Sequence, residues 1–525
     1  MRPLRVLMRA EVPRFMPLET ELKLQIDPRH IARLADHPLL KSGTQRATRK
    51  LYSVYYDTPD LDLWRAGVSL RLRRSGRRWM QTVKSGGSVA AGLHQRLEIE
   101  TAIRKPLLDF DALEASEVAA YFSSLELRAR LKPLIVTEFT RASCVLAPAD
   151  GVAIEASIDR GLIRSGNATA PICELELEVK EGPAWRAYQA AMQLLAAAPL
   201  RVEDRSKAER GIALYSGDPQ KPGKARPSEV AAGMTSNDAF KALVLTCLAH
   251  FAANQRGMLE AGDPEYLHQM RVSLRRLRSV FSTFAPLLPP AVLAPPVAET
   301  RWLARLLGSA RDWDVFATET LPPVMARYAE HAGLAALTRA TARLRVTANR
   351  RARRAVAAAR GQGLLLALGA WTSAETWLEA LDDAQRGELQ RPAIEYAREI
   401  LSASLKRVRK RGRKFADLAP ADLHRLRIAA KKLRYATEFF APLFDGKPAR
   451  EYRAVLARLQ DALGAYNDAV KMTLFAERAS RGLTEAPADE ARGIMLGWSA
   501  GMQDAGTRYL KRVWKDFRRA EPFWK

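Results

Sequence analysis

The chain has 525 residues, 47% hydrophobic and 27% charged, which excludes a disordered or collagenous chain and leaves room for about three domains of ordinary size. With 84 Lys and Arg against 58 Asp and Glu it carries a formal charge of +26, a field that gathers anions such as nucleic acid, anionic lipid or polyphosphate. Its longest apolar stretches, such as that over 364–370, are broken well short of the ~18 residues of a membrane span, and the N-terminus has no long apolar h-region with a small-residue cleavage site, so the expectation is a cytoplasmic protein with no membrane partner.

Residues 1–15 are arginine-rich and without pattern, and are expected to form an extension. From 16 to 215 the sequence alternates in period two over 18–26, 50–57, 68–74, 78–85, 93–103, 136–146, 151–163 and 172–180, which predicts about eight strands. Short helical stretches fall near 28–36, 109–120 and 184–198, the last ending before Pro199. Most connections have hairpin length, so the sheet is expected to be largely antiparallel, and eight such strands can close into a barrel. Cys144, Cys173 and Cys247 lie far apart with no CxxC spacing, and are read as buried apolar residues rather than metal ligands or disulfides.

The polar halves of these strands carry the functional signal. They are Glu19, Glu21 and Lys23 on the first strand, Ser69, Arg71 and Arg73 on the third, His94, Arg96, Glu98 and Glu100 on the fifth, and Glu174, Glu176 and Glu178 on the last. Each set occupies one strand face. A solvated outer face is the simplest account of one such strand, yet here the signs are sorted by strand, whereas a solvating surface mixes them. Turned into a barrel, they would form a water-filled channel with carboxylates on one wall and Arg and Lys on another. That arrangement suits a polyanion carried with a divalent metal, because hard cations take carboxylate oxygens while Arg and Lys hold phosphate oxygens.

Glu19, Glu21 and Lys23 form an ExExK motif, followed in order by YYDTPD, SLRLR (69–73), TVK (82–84), RLEIE (96–100), Arg141, IEASIDRG (154–161), ELELE (174–178) and SKAERG (206–211). This ordered set resembles the CYTH, or triphosphate tunnel metalloenzyme, superfamily over about residues 15–215. The resemblance implies an eight-stranded antiparallel tunnel that binds or hydrolyses triphosphates with Mg²⁺ or Mn²⁺. Carried onto this sequence, it makes Glu19, Glu21, Glu174 and Glu176 metal-side carboxylates, and Lys23, Arg71, Arg73, Lys84, Arg141 and Lys207 phosphate-side cations, with Glu19, Glu21, Lys23, Arg71 and Arg73 at the centre of catalysis. Glu98, Glu100, Glu155, Asp159 and Glu178 are weaker candidates that could orient the cations. The chemistry stands without the family: a loose phosphoryl-transfer transition state needs charge neutralisation and a placed water more than covalent help. The seven histidines form no HExxH or comparable cluster, and which carboxylate serves as base stays open.

Residues 216–234 are rich in Pro, Gly and Ser and read as a linker. GDPQKPGKA within it imitates a phosphate-binding P-loop, but five residues separate its glycines, Ala225 stands where Ser or Thr would hold magnesium, and no apolar strand precedes it. The charge divides here: residues 1–217 carry an excess of seven positive charges and the remainder an excess of 19.

From 235 to 525 the period changes to about 3.6, and the sequence repeats. HQMRVSLRRLRSVFSTFAPLL (268–288) aligns without a gap to HRLRIAAKKLRYATEFFAPLF (424–444), and the same offset carries LGSARD (307–312) onto LGAYND (463–468). Two similar helical bundles are expected, over about 235–380 and 391–520. His268, Arg271, Arg275 and Arg278 share one helix face, opposite Met270, Leu274, Leu277, Phe281 and Phe284; the second copy places His424, Arg427, Lys431 and Arg434 likewise. A solvated basic face is the plain alternative, but no acidic partner is expected at i±4 in either copy, and retaining that repulsion favours an anion site. HxxRVxxRRLR and its second version HxxRIxxKKLR resemble the CHAD domain, a helical module; the resemblance implies paired four-helix bundles that bind inorganic polyphosphate without catalysis.

The expected class is therefore α+β multidomain, an antiparallel β tunnel with short helices followed by duplicated all-α four-helix bundles. The function expected is metal-dependent hydrolysis of inorganic triphosphate to diphosphate and phosphate, joined to polyphosphate binding. Its competitors are a non-catalytic polyphosphate-binding or granule-associated protein, and a tunnel enzyme for thiamine triphosphate or a nucleoside triphosphate. Nucleic acid is a weaker partner, since the basic helices interleave no aromatic residues for base stacking.

Overall fold

The computed structural model describes residues 18–525, apart from 114, 115, 117, 148–150, 218–220, 445 and 482–485; the extension expected over 1–15 lies outside the described residues. The chain forms two units, one of residues up to 221 together with 358–375, the other of 222–357 and 376–525. The strands are β1 (Leu18–Ile26), β2 (Thr44–Asp57), β3 (Val68–Ser75), β4 (Arg78–Ala90), β5 (Leu93–Ile103), β6 (Lys132–Leu146), β7 (Ala153–Ser165), β8 (Ala168–Glu181) and β9 (Leu200–Val202). The longer helices are α1 (Trp185–Ala197), α2 (Lys207–Ser216), α3 (Ser236–Glu260), α4 (Pro264–Phe284), α5 (Pro290–Val315), α6 (Ala332–Ala357), α7 (Ala359–Ala374), α8 (Ala393–Arg411), α9 (Pro420–Phe439), α10 (Lys447–Ser480) and α11 (Ala486–Arg519).

In the first unit the sheet runs β5-β4-β3-β2-β6-β7-β8-β1, and β1 returns to β5 to close an eight-stranded antiparallel barrel. The first strand makes closure possible by serving two neighbours along its length. Leu18 to Leu22 pair with β5, Glu21 to Gln25 pair with β8, and Leu24 to Ile26 take the short β9, which the alternation did not reveal.

Closure also decides the faces. In β1, Leu22, Leu24 and Ile26 are buried, and so are Glu21 and Lys23 between them. The apolar residues lie outside the barrel under helices and loops, as where Val68, Leu70 and Val83 pack with Leu63, Leu113 and Phe122. The charged residues therefore point inward, the opposite of a sandwich strand. At one end of the interior, Leu51, Tyr55, Ile135 and Phe139 receive Ala208 and Ile212 of α2. Gly211 permits that approach, since a Cβ there would stand 2.4 Å from Ile135 Cγ2. The helix begins in a capping box, Ser206 with Glu209.

α7 groups with this first unit, although its place in the sequence falls inside the first helical repeat; it packs on α1 and β9. In the second unit α3–α6 and α8–α11 form the two copies, each helix packing on its neighbour in sequence. α6 also packs against α10 and α11, in a core that holds Trp313, Phe316, Leu337, Met472, Phe475 and Met495. On α4, Met270, Leu274, Leu277, Phe281 and Phe284 are buried. Part of the expected linker is tied down: Asn254 Nδ2 donates to Gly223 O at 2.9 Å and Gly223 N donates to Asn254 Oδ1 at 2.9 Å. Cys144 and Cys247 are buried, but Cys173 is partly exposed. No helix among the described residues is long and apolar enough to cross a membrane.

Candidate active site and basic cluster

Because every second residue of each strand faces the lumen, the barrel collects side chains from seven strands and α2 around one cavity. Its lining includes Glu19, Glu21 and Lys23 of β1, Arg71 and Arg73 of β3, Lys84 of β4, Arg141 of β6, Glu176 and Glu178 of β8, and Lys207 of α2. Of the ten principal residues expected at the site, nine line this cavity, and Glu174 lies just outside it, beside Glu176.

On one side, Lys23 Nζ stands 2.7 Å from Glu21 and also pairs with Glu176. Arg141 pairs with Glu176 and, at 2.7 Å, with Asp159. On the other, Lys84 pairs with Glu19 and lies 3.1 Å from Glu98, which is 3.2 Å from Arg71. Glu100 accepts from Thr82 at 3.0 Å and approaches Arg71 at 3.5 Å. Glu98, Glu100 and Asp159 thus hold cations in place, Glu178 lines the cavity, and Glu155 accepts from Ser157 at 3.3 Å.

Glu174 lies outside the cavity lining, and two cations hold its oxygens. It pairs with Lys207, and Arg210 Nη1 donates to it at 2.8 Å. Asp159, Glu174 and Glu176 do bring ligand oxygens within 4.8 Å of one another. The Lys207 ammonium sits among all three, 2.7 Å from Asp159 and 3.0 Å from Glu176, so an ion there would have to displace it.

The cavity is electrostatically unfinished. Burial and the neighbouring Glu21 push the Glu19 carboxyl up to about 7 despite Lys84. Burial would raise Glu21 as well, but Lys23 and Lys84 outweigh it and bring it down to about 2. Burial and the adjacent Arg71 lower the Arg73 guanidinium to about 10. Its one neighbour within hydrogen-bond range is neutral, Ser53 Oγ at 3.2 Å, and no carboxylate ion-pairs with it among the described residues. A buried cation without a counterion costs free energy that an anionic ligand recovers. Glu19, Glu21, Glu176 and Glu178 offer oxygen donors alone, the set a hard divalent cation takes, and the raised Glu19 records a repulsion that such a cation would relieve.

Arg96, named on the polar face of β5 but given no role, also lines the cavity, and sequence reasoning missed Tyr55 and Thr82, which line it too, and Arg210, which holds Glu174. Cross-strand register would have found Tyr55 and Thr82, both directly opposite Arg71. Helical spacing from Lys207 would have found Arg210.

In the second unit the histidine helices α4 and α9 touch, and four of the eight expected residues converge. Arg271, Arg275, Arg427 and Lys431 lie close enough to perturb one another, and burial together with Arg275, Arg427 and Arg271 lowers the Lys431 amine to about 7. Arg275 also donates to Tyr435 Oη. The repeated acidic positions answer in kind: Asp312 stands 3.5 Å from Arg271, and Asp468 faces Arg427. His268 borders the cluster, its imidazole lowered by burial and Arg311. His424 Nδ1 meets Asn467 Oδ1 at 2.8 Å.

Two expected members stand apart. Arg278 lies beside Arg301. Arg434 corrects the expectation that no acid follows at i±4: its Nε donates to Glu438 at 2.9 Å, so that end of α9 is locally neutralised.

A closed antiparallel barrel lined by facing carboxylates and cations, followed by a duplicated helical unit with clustered arginines, defines the class of protein. The model of the CYTH domain matches residues 17–212 and that of the CHAD domain matches 242–476, and the chain belongs to the proteins that join these two domains. An inorganic triphosphatase of Haemophilus influenzae is 29% identical over 199 residues, 38% of this chain and 55% of that protein; the match thus spans about half the length of that curated relative. Among solved structures, the CHAD domain from the plant Ricinus communis is 31% identical, with a TM-score of 0.50, and covers 58% of this chain and 98% of its own. PptA from Streptomyces chartreusis is 17% identical, with a TM-score of 0.42 over 54% of this chain and 100% of its own.

Proposed function

We propose that the tunnel hydrolyses inorganic triphosphate to diphosphate and phosphate with Mg²⁺ or Mn²⁺. The observation that carries this reading is the facing of two unlike walls across one cavity, Arg71, Arg73, Lys84 and Arg141 against Glu19, Glu21 and Glu176. The cations bind the phosphate oxygens, and Arg73, whose charge is uncompensated, gains most as negative charge shifts in the transition state. Glu19, Glu21 and Glu176, with Glu178 beside them, would hold the divalent ion. When bound, that ion supplies charge neutralisation and a more acidic water. Glu174 and Asp159 anchor Lys207, and Glu98 and Glu100 orient Lys84 and Arg71, so the cradle is set before substrate arrives. A tunnel that merely held a polyanion would have no use for three carboxylates facing it, which weighs against the non-catalytic alternative.

The second unit is read as a polyphosphate-binding module in which Arg271, Arg275, Arg427 and Lys431 are the principal contacts, with His268, His424, Arg278 and Arg434 towards its margins. A cytoplasmic site of action near polyphosphate granules belongs to the same reading. The test is phosphate release from inorganic triphosphate, thiamine triphosphate and ATP by the purified full chain, with Mg²⁺, Mn²⁺ or EDTA. Release from inorganic triphosphate that depends on metal is expected. Undiminished activity in EDTA, or a preference for either of the other substrates, overturns the assignment.

A further inference from the structure

One of the longest apolar stretches of the sequence has no part in the site described above, and it belongs to α7. Leu364, Leu365, Leu366 and Leu368 are buried, and the helix begins 125 residues beyond the linker, at Ala359. Two of its contacts lead towards the cavity. The first runs through β9, which ends the sheet beyond β1 and so has one edge without a strand neighbour among the described residues. On that edge Val202 N donates to Gln362 Oε1 at 3.0 Å, and Gln362 is itself buried. The segment that follows is stitched to β1 and its neighbouring turn: Glu203 N donates to Lys23 O at 3.0 Å, and Gly92 N donates to Asp204 Oδ1 at 2.7 Å. It then ends at Ser206 and Lys207, both in the cavity wall.

The second contact runs through Gly369, where a Cβ would stand 2.4 Å from Tyr188 Cζ. The absent side chain lets α7 seat directly on that ring. Tyr188 Oη donates to Ala90 O at 2.9 Å, at the turn whose Gly92 O accepts from Lys23 N at 2.9 Å. Gly92 adopts φ +82, and a Cβ there would meet Val202 Cγ1 at 2.9 Å and Lys23 O at 3.0 Å, so the turn, β9 and β1 are packed without slack. Both routes from α7 therefore end at lysines of the cavity, Lys207 and Lys23.

We infer that α7 is a working part of the tunnel and that Gln362 is a positioning residue for Lys207 in the reaction proposed above. Without that acceptor the buried Val202 N–H loses the 3.0 Å bond it makes to Gln362, β9 loosens from its outer edge, and Lys207 loses its fixed approach to Asp159, Glu174 and Glu176. The inference rests on the triphosphatase reading for its catalytic consequence but not for its structural one.

The experiment uses the full chain carrying Gln362→Met, which keeps volume and removes the acceptor, and separately Gly369→Leu, which wedges α7 off Tyr188. Three quantities are measured: amine labelling of Lys207 by mass spectrometry, peptide-resolved hydrogen exchange over 200–207, and steady-state kinetics well below the unfolding temperature. In the wild type, exchange at Val202 is expected to be as slow as in the barrel strands, a measurement that needs no variant. In Gln362→Met, Lys207 labelling and exchange over 200–207 should rise about tenfold, and kcat/KM should fall about tenfold, within what small misplacements far from the chemistry produce. A helix that only added stability would lower Tm and leave kinetics and Lys207 labelling unchanged; that result, or fast exchange at Val202 in the wild type, overturns the inference. If no triphosphate is turned over, the functional reading fails, while labelling and exchange still decide whether Gln362 fixes Lys207.

Discussion

Both halves of the molecule concentrate arginine and lysine, yet they treat the charge differently. In the barrel, cations and carboxylates share one closed lumen, and most are paired within 3.5 Å before any ligand arrives. In the helical unit, Arg271, Arg275, Arg427 and Lys431 crowd one another, with Asp312 and Asp468 facing them. The difference separates what chemistry and affinity require. A reacting phosphoryl group needs donors already fixed where charge will develop, which a rigid barrel and its counter-carboxylates provide. Binding a long polyanion needs only net positive charge within reach, and the ligand itself supplies the neutralisation.

The sharpest way to break this contrast is to attack the carboxylates. Glu21→Gln is expected to lower triphosphatase kcat/KM by about 10³-fold, the upper range for one electrostatic contributor, while polyphosphate binding by the same protein stays at the wild-type level; parallel kinetic and binding titrations check both halves at once. Arg73→Ala should follow at about 10²-fold in kcat/KM, carried by kcat because the contact strengthens in the transition state. A change confined to KM would make Arg73 a passive binding residue.

The reciprocal attack is Arg271→Ala together with Arg427→Ala. Affinity for long-chain polyphosphate should fall at least about tenfold with a shallower salt dependence, since fewer counterions are released, and kcat/KM for triphosphate should not move. Equal affinity of the wild-type protein for single-stranded DNA and polyphosphate would reduce the cluster to a generic basic face. The smallest effect concerns pH. The Lys431 amine, held at about 7 by burial and three arginines, is largely neutral at pH 8 and largely charged at pH 6. Polyphosphate affinity should therefore rise as pH falls across that interval, by up to about tenfold for one group. Lys431→Arg, whose charge is permanent, should remove that part of the slope.

The eight strands of the barrel and the repeat of the helices were legible in the sequence because each rests on periodicity, which side-chain polarity records directly. The direction of the charged faces was legible only from the sorting of signs, since period two alone does not distinguish lumen from solvent. The different surroundings of Glu174 were hidden for a related reason: Glu174, Glu176 and Glu178 occupy identical positions in the alternation, and only the arrival of α2 places Arg210 on the first of them. β9 has three residues, too few to show a period. α7 was beyond reach because its partners, Tyr188 and Val202, precede it by more than 150 residues, and nothing local announces a contact at such a distance.

The placement of α7 also bears on how such a gene can be cut and rejoined. A crossover within the Pro- and Gly-rich segment after residue 216 looks harmless, since it falls between two domain-length stretches. Yet the downstream piece carries off a helix that belongs to the upstream fold, and the upstream piece is left with bare apolar surface on α1 and without the Gln362 acceptor on β9. Recombinants built at that seam inherit a mismatch wherever the donor of α7 and the donor of Tyr188 have diverged, so the two segments should be inherited as a pair even though the chain separates them.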